Sequence, residues 1–119
     1  MTRILDNDVI EALESDRDIS PELTRMMQRA RDASDFLKAL AHENRLLLLC
    51  LLAERERSVT ELEELLSLRQ TTVSQQLARL RLDDLVTTRR DGRTVYYSLA
   101  DERLKQFIRV IYDMFCKVP

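Results

Sequence analysis

The sequence predicts a mainly α-helical fold with a β-hairpin wing, the winged helix-turn-helix, and three observations lead to this prediction. Most of the chain carries helix caps and apolar stripes at helical spacing. Two β-like runs are joined through Asp91 and Gly92, a dipeptide typical of two-residue hairpins. One glycine and two prolines in 119 residues leave few turns for a fold built of many strands. The predicted order is helix, helix, helix-turn-helix, hairpin, helix.

Caps and apolar stripes define the first two helices. Ser20 before Pro21 marks a helix start, because serine caps free backbone N–H groups and proline has none at the first helical position. The apolar stripe that follows extends the first helix to Leu40. The second helix, roughly Glu43–Glu54, is so rich in leucine that we expect it to be buried nearly all round.

The helix-turn-helix and the wing follow in the chain. Thr60 and Glu63 fit a capping box that opens a short third helix ending near Leu66. The fourth helix is expected to turn three apolar residues inward. The remaining predicted elements are the fourth helix at about Gln70–Leu82, the strands Val86–Arg90 and Thr94–Leu99, and a last helix capped by Asp101 and ending near Val118.

Composition divides the chain into two parts. Residues 1–19 are rich in acids and are predicted to be an N-terminal extension, either partly disordered or a short helix, whereas residues 20–119 form the main domain. The net charge is only −2, yet the segment between Arg69 and Arg93 is basic and almost all its bases are arginine. Arginine suits bidentate contacts with phosphate and guanine, so this distribution indicates a nucleic-acid partner.

Several classes of protein are disfavoured. The longest apolar run, Leu46–Ala53, is far shorter than the roughly 20 residues of a membrane span. The N-terminus has no signal-peptide pattern, so we expect a cytoplasmic protein. No nucleophile–base pair, pair of acids or phosphate loop stands out, which predicts neither an enzyme nor a cofactor.

The polar face of the fourth helix and the arginine-rich hairpin are predicted to bind double-stranded DNA. Short hydroxyl and amide side chains near a helix N-terminus reach base edges in a major groove, and arginines at a wing meet phosphates or a minor groove. Either feature alone would also fit a merely solvated surface, but the two in this order favour DNA. The predicted DNA-binding residues are Gln70, Thr71, Thr72, Ser74, Gln75, Arg79, Arg89, Arg90 and Arg93.

Apolar surface on the first and last helices exceeds what one small core needs. We therefore expect these two helices to form a twofold homodimer. Such a dimer would hold two recognition helices about one DNA turn, roughly 34 Å, apart and would require an inverted-repeat operator.

Four motifs in order resemble the ArsR/SmtB family of homodimeric repressors: Leu40–Leu46, Thr60–Leu66, Gln70–Leu80 and Arg89–Tyr97. The resemblance covers about residues 25–118 and implies a winged-helix dimer that leaves its operator when an inducer binds. Metal-sensing members would need cysteines at the third helix or histidines on the last one, and this chain has neither, so no metal ligand is predicted. The single histidine, His42, is expected to be a local structural group.

The two cysteines of the chain, Cys50 and Cys116, are the predicted sensing residues. From composition alone they would be inert core residues. Their helix positions, however, are similar to those of the thiol- and persulfide-sensing branch of the family, the SqrR/BigR-like repressors. That resemblance implies release from DNA when reactive sulfur species or another oxidant bridge the pair through a disulfide or polysulfide. Exposure near a helix end predicts that Cys116 is attacked first and that Cys50 resolves.

Two rival hypotheses stay open at this point. One is a metal-responsive repressor of the same family with an atypical site built from Cys50, Cys116 or His42. The other is a winged helix used only for contacts with other proteins.

Overall fold

A computed structural model of the chain describes residues 4–15 and 20–116. The chain divides into two compact units, Met1–Lys38 and Ala39–Pro119. Six helices and three short strands follow one another within the described residues, which confirms the predicted fold class. The elements are α1 Asn7–Ser15, α2 Pro21–Leu40, α3 Glu43–Glu54, β1 Arg57–Ser58, α4 Val59–Leu66, α5 Gln70–Leu82, β2 Val86–Asp91, β3 Thr94–Leu99 and α6 Glu102–Phe115.

The N-terminal unit contains α1 and most of α2. Helix α1 lies within the acidic segment of the sequence, while the division into extension and domain stays a prediction. Ser20 caps α2 as expected, because its Oγ accepts a hydrogen bond from the Leu23 backbone N–H at 3.1 Å. Helix α2 then bears exposed apolar side chains at Met27 and Leu37. No helix of the described residues is long and apolar enough to cross a membrane.

The C-terminal unit is built around the leucines of α3. Leu48 and Leu49 are fully buried and Leu52 nearly so, in a core completed by side chains of α4, α5, β2 and α6. The expectation that α3 is buried nearly all round is wrong, because Leu47 is 45% exposed. Leu47 shares its side of the helix with the exposed Glu43, so α3 has one open face.

The start of α4 corrects the predicted capping box. The N-cap is Ser58, whose Oγ accepts from the Glu61 N–H at 3.2 Å while the Glu61 carboxylate accepts from the Ser58 N–H at 3.4 Å. Thr60 lies inside the helix instead. Both pairs fit the same sequence pattern, and the tertiary structure decides between them. Strand β1 pairs Arg57 with Tyr97 and Ser58 with Tyr96, which holds Ser58 in the extended conformation that an N-cap requires.

The wing is part of a three-stranded antiparallel sheet in the order β1-β3-β2, rather than a hairpin alone. Its turn also differs from the prediction. Asp91 pairs with Thr94, so β2 extends one residue further and the two turn residues are Gly92 and Arg93. Gly92 has a φ of +64° whereas Arg93 has no positive φ, the pattern of a type II′ turn, which favours glycine at the first central position.

Helix α6 begins as predicted and closes the core. Asp101 caps it, since the Asp101 Oδ1 accepts from the Leu104 N–H at 2.8 Å. Leu104 and Ile108 are buried. The helix ends at Phe115, and Cys116 forms its C-cap with an N–H that donates to the Tyr112 carbonyl at 2.8 Å. The predicted end near Val118 lies outside the described residues.

The α4 cap can be tested with two matched hydroxyl deletions. Ser58→Ala should lower the free energy of unfolding by about 1 kcal/mol, because the Glu61 N–H loses its acceptor. Thr60→Ala serves as the control and should change it by less than about half as much, since Thr60 is exposed and lies within the helix. Chemical denaturation measures both values, and a larger effect of Thr60→Ala would contradict the assigned cap.

Candidate nucleic-acid interface and cysteine pair

Helix α5 presents a polar face because its apolar residues are fully committed to the core. Val73, Leu77 and Leu80 are completely buried. The opposite face carries the residues predicted to contact DNA. Of these, Gln70, Thr71, Gln75 and Arg79 are exposed, while Thr72 and Ser74 are half-buried.

The two ends of α5 differ in how their polar groups are used. At the N-terminus, Arg69 is the N-cap and its side chain makes no capping hydrogen bond. Free N–H groups at a helix N-terminus favour a nearby phosphate, so this end is compatible with DNA binding. Near the C-terminus, Arg79 lies 3.5 Å from the Asp83 carboxylate in an exposed ion pair. That contact is weak enough for Arg79 to exchange it for another anion.

A side-chain bridge between α3 and α5 was not predicted from the sequence. The Arg45 Nε donates to the Gln76 Oε1 at 2.9 Å, and the Arg45 Nη1 donates to the Ala39 carbonyl at 3.1 Å. This guanidinium therefore ties the recognition helix to the start of α3. Arg45 lies within the family-like motif Leu40–Leu46, but nothing in the motif indicates a partner 31 residues further along the chain.

The three wing arginines are not equivalent. The Arg89 Nε donates to the Glu56 Oε2 at 2.8 Å, and its guanidinium lies 4.6 Å from the centroid of the Tyr96 ring. The hydrogen bond from Arg89 lowers the pKa of Glu56, and Glu56 in turn raises the pKa of Arg89. Arg90 and Arg93, by contrast, are exposed and form no ion pair with any residue in the described ranges. These two remain available for an external anion.

The segment between α3 and α4 gathers further ion pairs. The buried Arg57 pairs with Glu54, and its Nε donates to the Leu51 carbonyl at 3.1 Å near the end of α3. The Arg55 Nη2 contacts the Glu61 Oε2 at 2.8 Å, and this hydrogen bond lowers the pKa of Glu61. Together with the Glu56–Arg89 pair, these contacts connect the end of α3 to α4 and to the wing.

The two predicted sensing residues are free thiols in the same unit of the structure. Cys50 is half-buried on α3, and Cys116 is exposed at the end of α6. Burial raises the pKa of Cys50, and the negative charge of a Cys116 thiolate raises it further.

A cavity of about 300 Å³ opens beside Cys50, between α3 and α6. Its walls include Ala53 and Glu54 from α3 and Arg109 and Tyr112 from α6. Cys50 is therefore accessible to a small molecule from this side, although most of its helix is packed into the core. Sequence reasoning did not find this cavity, because it depends on how two distant helices meet.

Metal ligands do not come together in the described part of the chain. Within those residues no group of three or more histidine, cysteine, aspartate or glutamate side chains could hold a metal ion. His42 has the local structural role expected of it. It is the N-cap of α3, and its Nδ1 accepts a hydrogen bond from the Asn44 N–H at 3.2 Å.

Known proteins share this architecture. The family model described as "Bacterial regulatory protein, arsR family" matches residues 42–88. The biofilm growth-associated repressor of Agrobacterium fabrum is 45% identical over 94 residues, which are 79% of this chain and 80% of that protein. Reduced HlyU from Vibrio cholerae matches with a TM-score of 0.76 at 41% identity, covering 80% of this chain and all of that one. BigR from Xylella fastidiosa matches with a TM-score of 0.72 at 40% identity, covering 78% and 92%.

A helix-turn-helix with a polar second helix, followed by an arginine-bearing wing, defines a winged-helix, DNA-binding transcription regulator rather than an enzyme. The chain belongs to the ArsR family of bacterial regulatory proteins. Its nine predicted DNA-binding residues and its cysteine pair stay predictions at the level of single residues.

The raised pKa of Cys50 gives a test of its environment. In a Cys116→Ser variant the charge of Cys116 is gone but burial remains, so the pKa of Cys50 should still exceed that of the same thiol in the unfolded chain. The rate of alkylation by iodoacetamide, measured against pH with and without denaturant, reports both pKa values.

The raised pKa of Cys50 also predicts how the free energy of unfolding depends on pH. Below the pKa of the unfolded thiol both states keep the proton, so Cys50 contributes no pH dependence. Above it the unfolded state loses the proton first, and the free energy of unfolding of Cys116→Ser should fall as pH rises further. A native pKa at or below the unfolded value would contradict the burial of Cys50.

Proposed function

We propose that the protein is a cytoplasmic, homodimeric transcriptional repressor that leaves its operator when Cys50 and Cys116 become covalently bridged. The observations that carry this proposal are the two free thiols on α3 and α6 and the cavity between these helices that Cys50 lines. Two relatives support it. One is described as a repressor, and the structure of the other is described as that of a reduced form.

An organic persulfide, R–S–SH, can act as the oxidant that forms the bridge between Cys50 and Cys116. The exposed Cys116 thiolate attacks the outer sulfur, forming Cys116–S–SH and releasing the thiolate R–S⁻. The Cys50 thiol then attacks the inner sulfur, giving a Cys50–Cys116 disulfide and hydrogen sulfide. A second persulfide that first adds one more sulfur to Cys116 would lead to a trisulfide instead. Peroxide would give the same disulfide through a sulfenic acid, with water as the product.

A bridge would act on DNA binding through α3. Arg45 on this helix bonds Gln76 on the recognition helix, and Cys50 lies on the same helix opposite α6. Linking α3 to α6 therefore constrains the helix that positions α5 relative to a helix of the proposed dimer interface. A change in the distance between two recognition helices, ideally about 34 Å, would prevent simultaneous contact with both half-sites of an inverted repeat.

The dimer is proposed to form through α2 and α6. Helix α6 leaves Val110 and Met114 exposed on one side, four residues apart, and α2 leaves Met27 and Leu37 exposed. Exposed apolar side chains on two helices are the surface that a twofold interface would bury.

The DNA contacts are divided between the recognition helix and the wing. Thr71, Ser74 and Gln75 are proposed to reach base edges, because short polar side chains allow close approach to the major groove. The flanking side chains would bind phosphates or the minor groove, except that Arg89 also orients the wing through Glu56. These flanking residues are Gln70, Thr72, Arg79, Arg89, Arg90 and Arg93.

Intact mass spectrometry joined to operator binding tests the switch. Treatment with an organic persulfide should lower the mass by 2 Da for a disulfide (two hydrogens lost), with added steps of about 32 Da for each extra sulfur. The bridged product should bind the operator at least tenfold more weakly than the reduced protein, because both recognition helices must fit at once. Fluorescence anisotropy on each product measures the affinity.

Single-cysteine variants are the matched controls. Cys50→Ser and Cys116→Ser should each take up sulfur without the 2 Da loss and should keep operator affinity after treatment. A bridged product that binds the operator as tightly as the reduced protein contradicts the proposal. Operator release caused by Zn²⁺, Cu⁺ or Cd²⁺ in the fully reduced protein would favour the metal-responsive alternative instead.

Two substitutions separate base reading from phosphate binding. Gln75→Ala should lower affinity for the operator but not for unrelated DNA, because the exposed Gln75 amide is proposed to contact bases. Arg90→Ala should weaken both complexes and reduce the slope of log affinity against log salt by about two units, one for each protomer of the proposed dimer. Titrations of both DNAs at several salt concentrations measure these effects. Equal losses on both DNAs for Gln75→Ala would refute its role as a base reader.

A further inference from the structure

The cavity beside Cys50 is a groove whose two walls come from single helix faces. Helix α3 supplies Cys50, Ala53 and Glu54, which lie three and four residues apart on one side. Helix α6 supplies Arg109 and Tyr112 among its lining residues. The groove is therefore bounded at one point by a thiol and at another by a guanidinium.

The same face of α6 leads from the groove to the second cysteine. At about 100° per residue, Arg109, Tyr112 and Cys116 fall within one third of the helix circumference. Cys116 lies two turns beyond Arg109, a rise of about 10 Å. Val110 and Met114 lie on the other side of α6, so the proposed dimer surface and the groove occupy different faces of one helix.

The charges in the groove leave one positive group uncommitted. Glu54 is paired with Arg57, which offsets its charge. Arg109 is exposed and makes no hydrogen bond or ion pair with any residue that the structure describes. A guanidinium without a partner binds carboxylates through two parallel hydrogen bonds. The groove therefore has a free anion-binding group on its α6 wall and the Cys50 thiol on its α3 wall.

The volume of the groove sets the size of its ligand. About 300 Å³ is at the lower end of the range for small-molecule sites. A bare hydrosulfide or peroxide would leave most of this space empty. A molecule with a sulfur at one end and a carboxylate at the other would occupy more of it.

We propose that this groove docks the organic part of a low-molecular-weight persulfide, with Arg109 binding a carboxylate of the ligand while its outer sulfur lies at the cysteine pair. The proposal rests on the proposed function and specifies its inducer as a carboxylate-bearing organic persulfide. Sulfur transfer follows the balance given above, in which a cysteine thiolate takes the outer sulfur and R–S⁻ leaves.

A matched pair of persulfides tests the role of the carboxylates. Glutathione persulfide and the persulfide of glutathione diethyl ester share one skeleton, but the ester has no free carboxylate. The reduced wild-type protein should take up sulfur from the acid about fivefold faster than from the ester, near the upper limit for a solvent-exposed ion pair. Quenched-flow mixing, alkylation and intact mass spectrometry measure the two second-order rate constants.

Two arginine substitutions test whether the faster reaction with the acid than with the ester arises in the groove. Arg109→Gln should bring the ratio of the two rate constants close to one, because the docking charge is lost. Arg81→Gln, which removes an exposed arginine of α5 outside the groove, should keep the ratio at its wild-type value. Circular dichroism checks that both variants keep the wild-type fold.

The outcomes distinguish this inference from the function on which it rests. Equal rate constants for the two persulfides in the wild type, or a ratio that Arg109→Gln leaves unchanged, would overturn docking at Arg109 while leaving the cysteine switch intact. Sulfur uptake from neither persulfide would overturn this inference and, with it, organic persulfides as inducers of the switch, and a 2 Da loss that peroxide also fails to produce would overturn the switch itself.

Discussion

The buried leucines of α3 are the constraint on which the rest of this protein depends. Leu48, Leu49 and Leu52 pack into the core, and burying each such side chain contributes about 1.5–3 kcal/mol. This packing fixes the helix, so the groups at its ends and on its open side have defined positions. Arg45 at its start reaches the recognition helix, and Cys50 in its middle faces the groove against α6.

Both elements proposed to contact DNA are held in position by contacts with α3 or with the segment that follows it. The recognition helix is held by shared core packing and by the Arg45–Gln76 bridge. The wing is held through Glu56, which follows the end of α3 and pairs with Arg89. Because close-packed interiors transmit strain instead of absorbing it, a displacement of α3 would move both elements together. A covalent bond at Cys50 would therefore act on the helix to which both proposed DNA-contacting elements are attached.

Local signals predicted the helices well, since caps and apolar stripes depend on residues three or four apart. Ser20 and Asp101 cap α2 and α6 as expected. The predictions that were wrong concern residues whose structure depends on a partner far away in the chain. The α4 cap moved to Ser58 because pairing with β3 holds that residue extended, and a two-residue strand is too short to show alternation. The groove, the Arg45–Gln76 bridge and the Glu56–Arg89 pair join residues far apart in the chain, and no local pattern encodes them.

Because Cys50 is half-buried, it can be accessible to a reagent and still be selective among oxidants. A thiol as deeply buried as the neighbouring Leu49 would be out of reach of any reagent, whereas a fully exposed one would be open to many oxidants. On α3, burial raises the pKa of Cys50, while the groove leaves one side of the thiol open. The selectivity of the proposed switch would therefore come from packing around Cys50, with the exposed Cys116 supplying the reactivity.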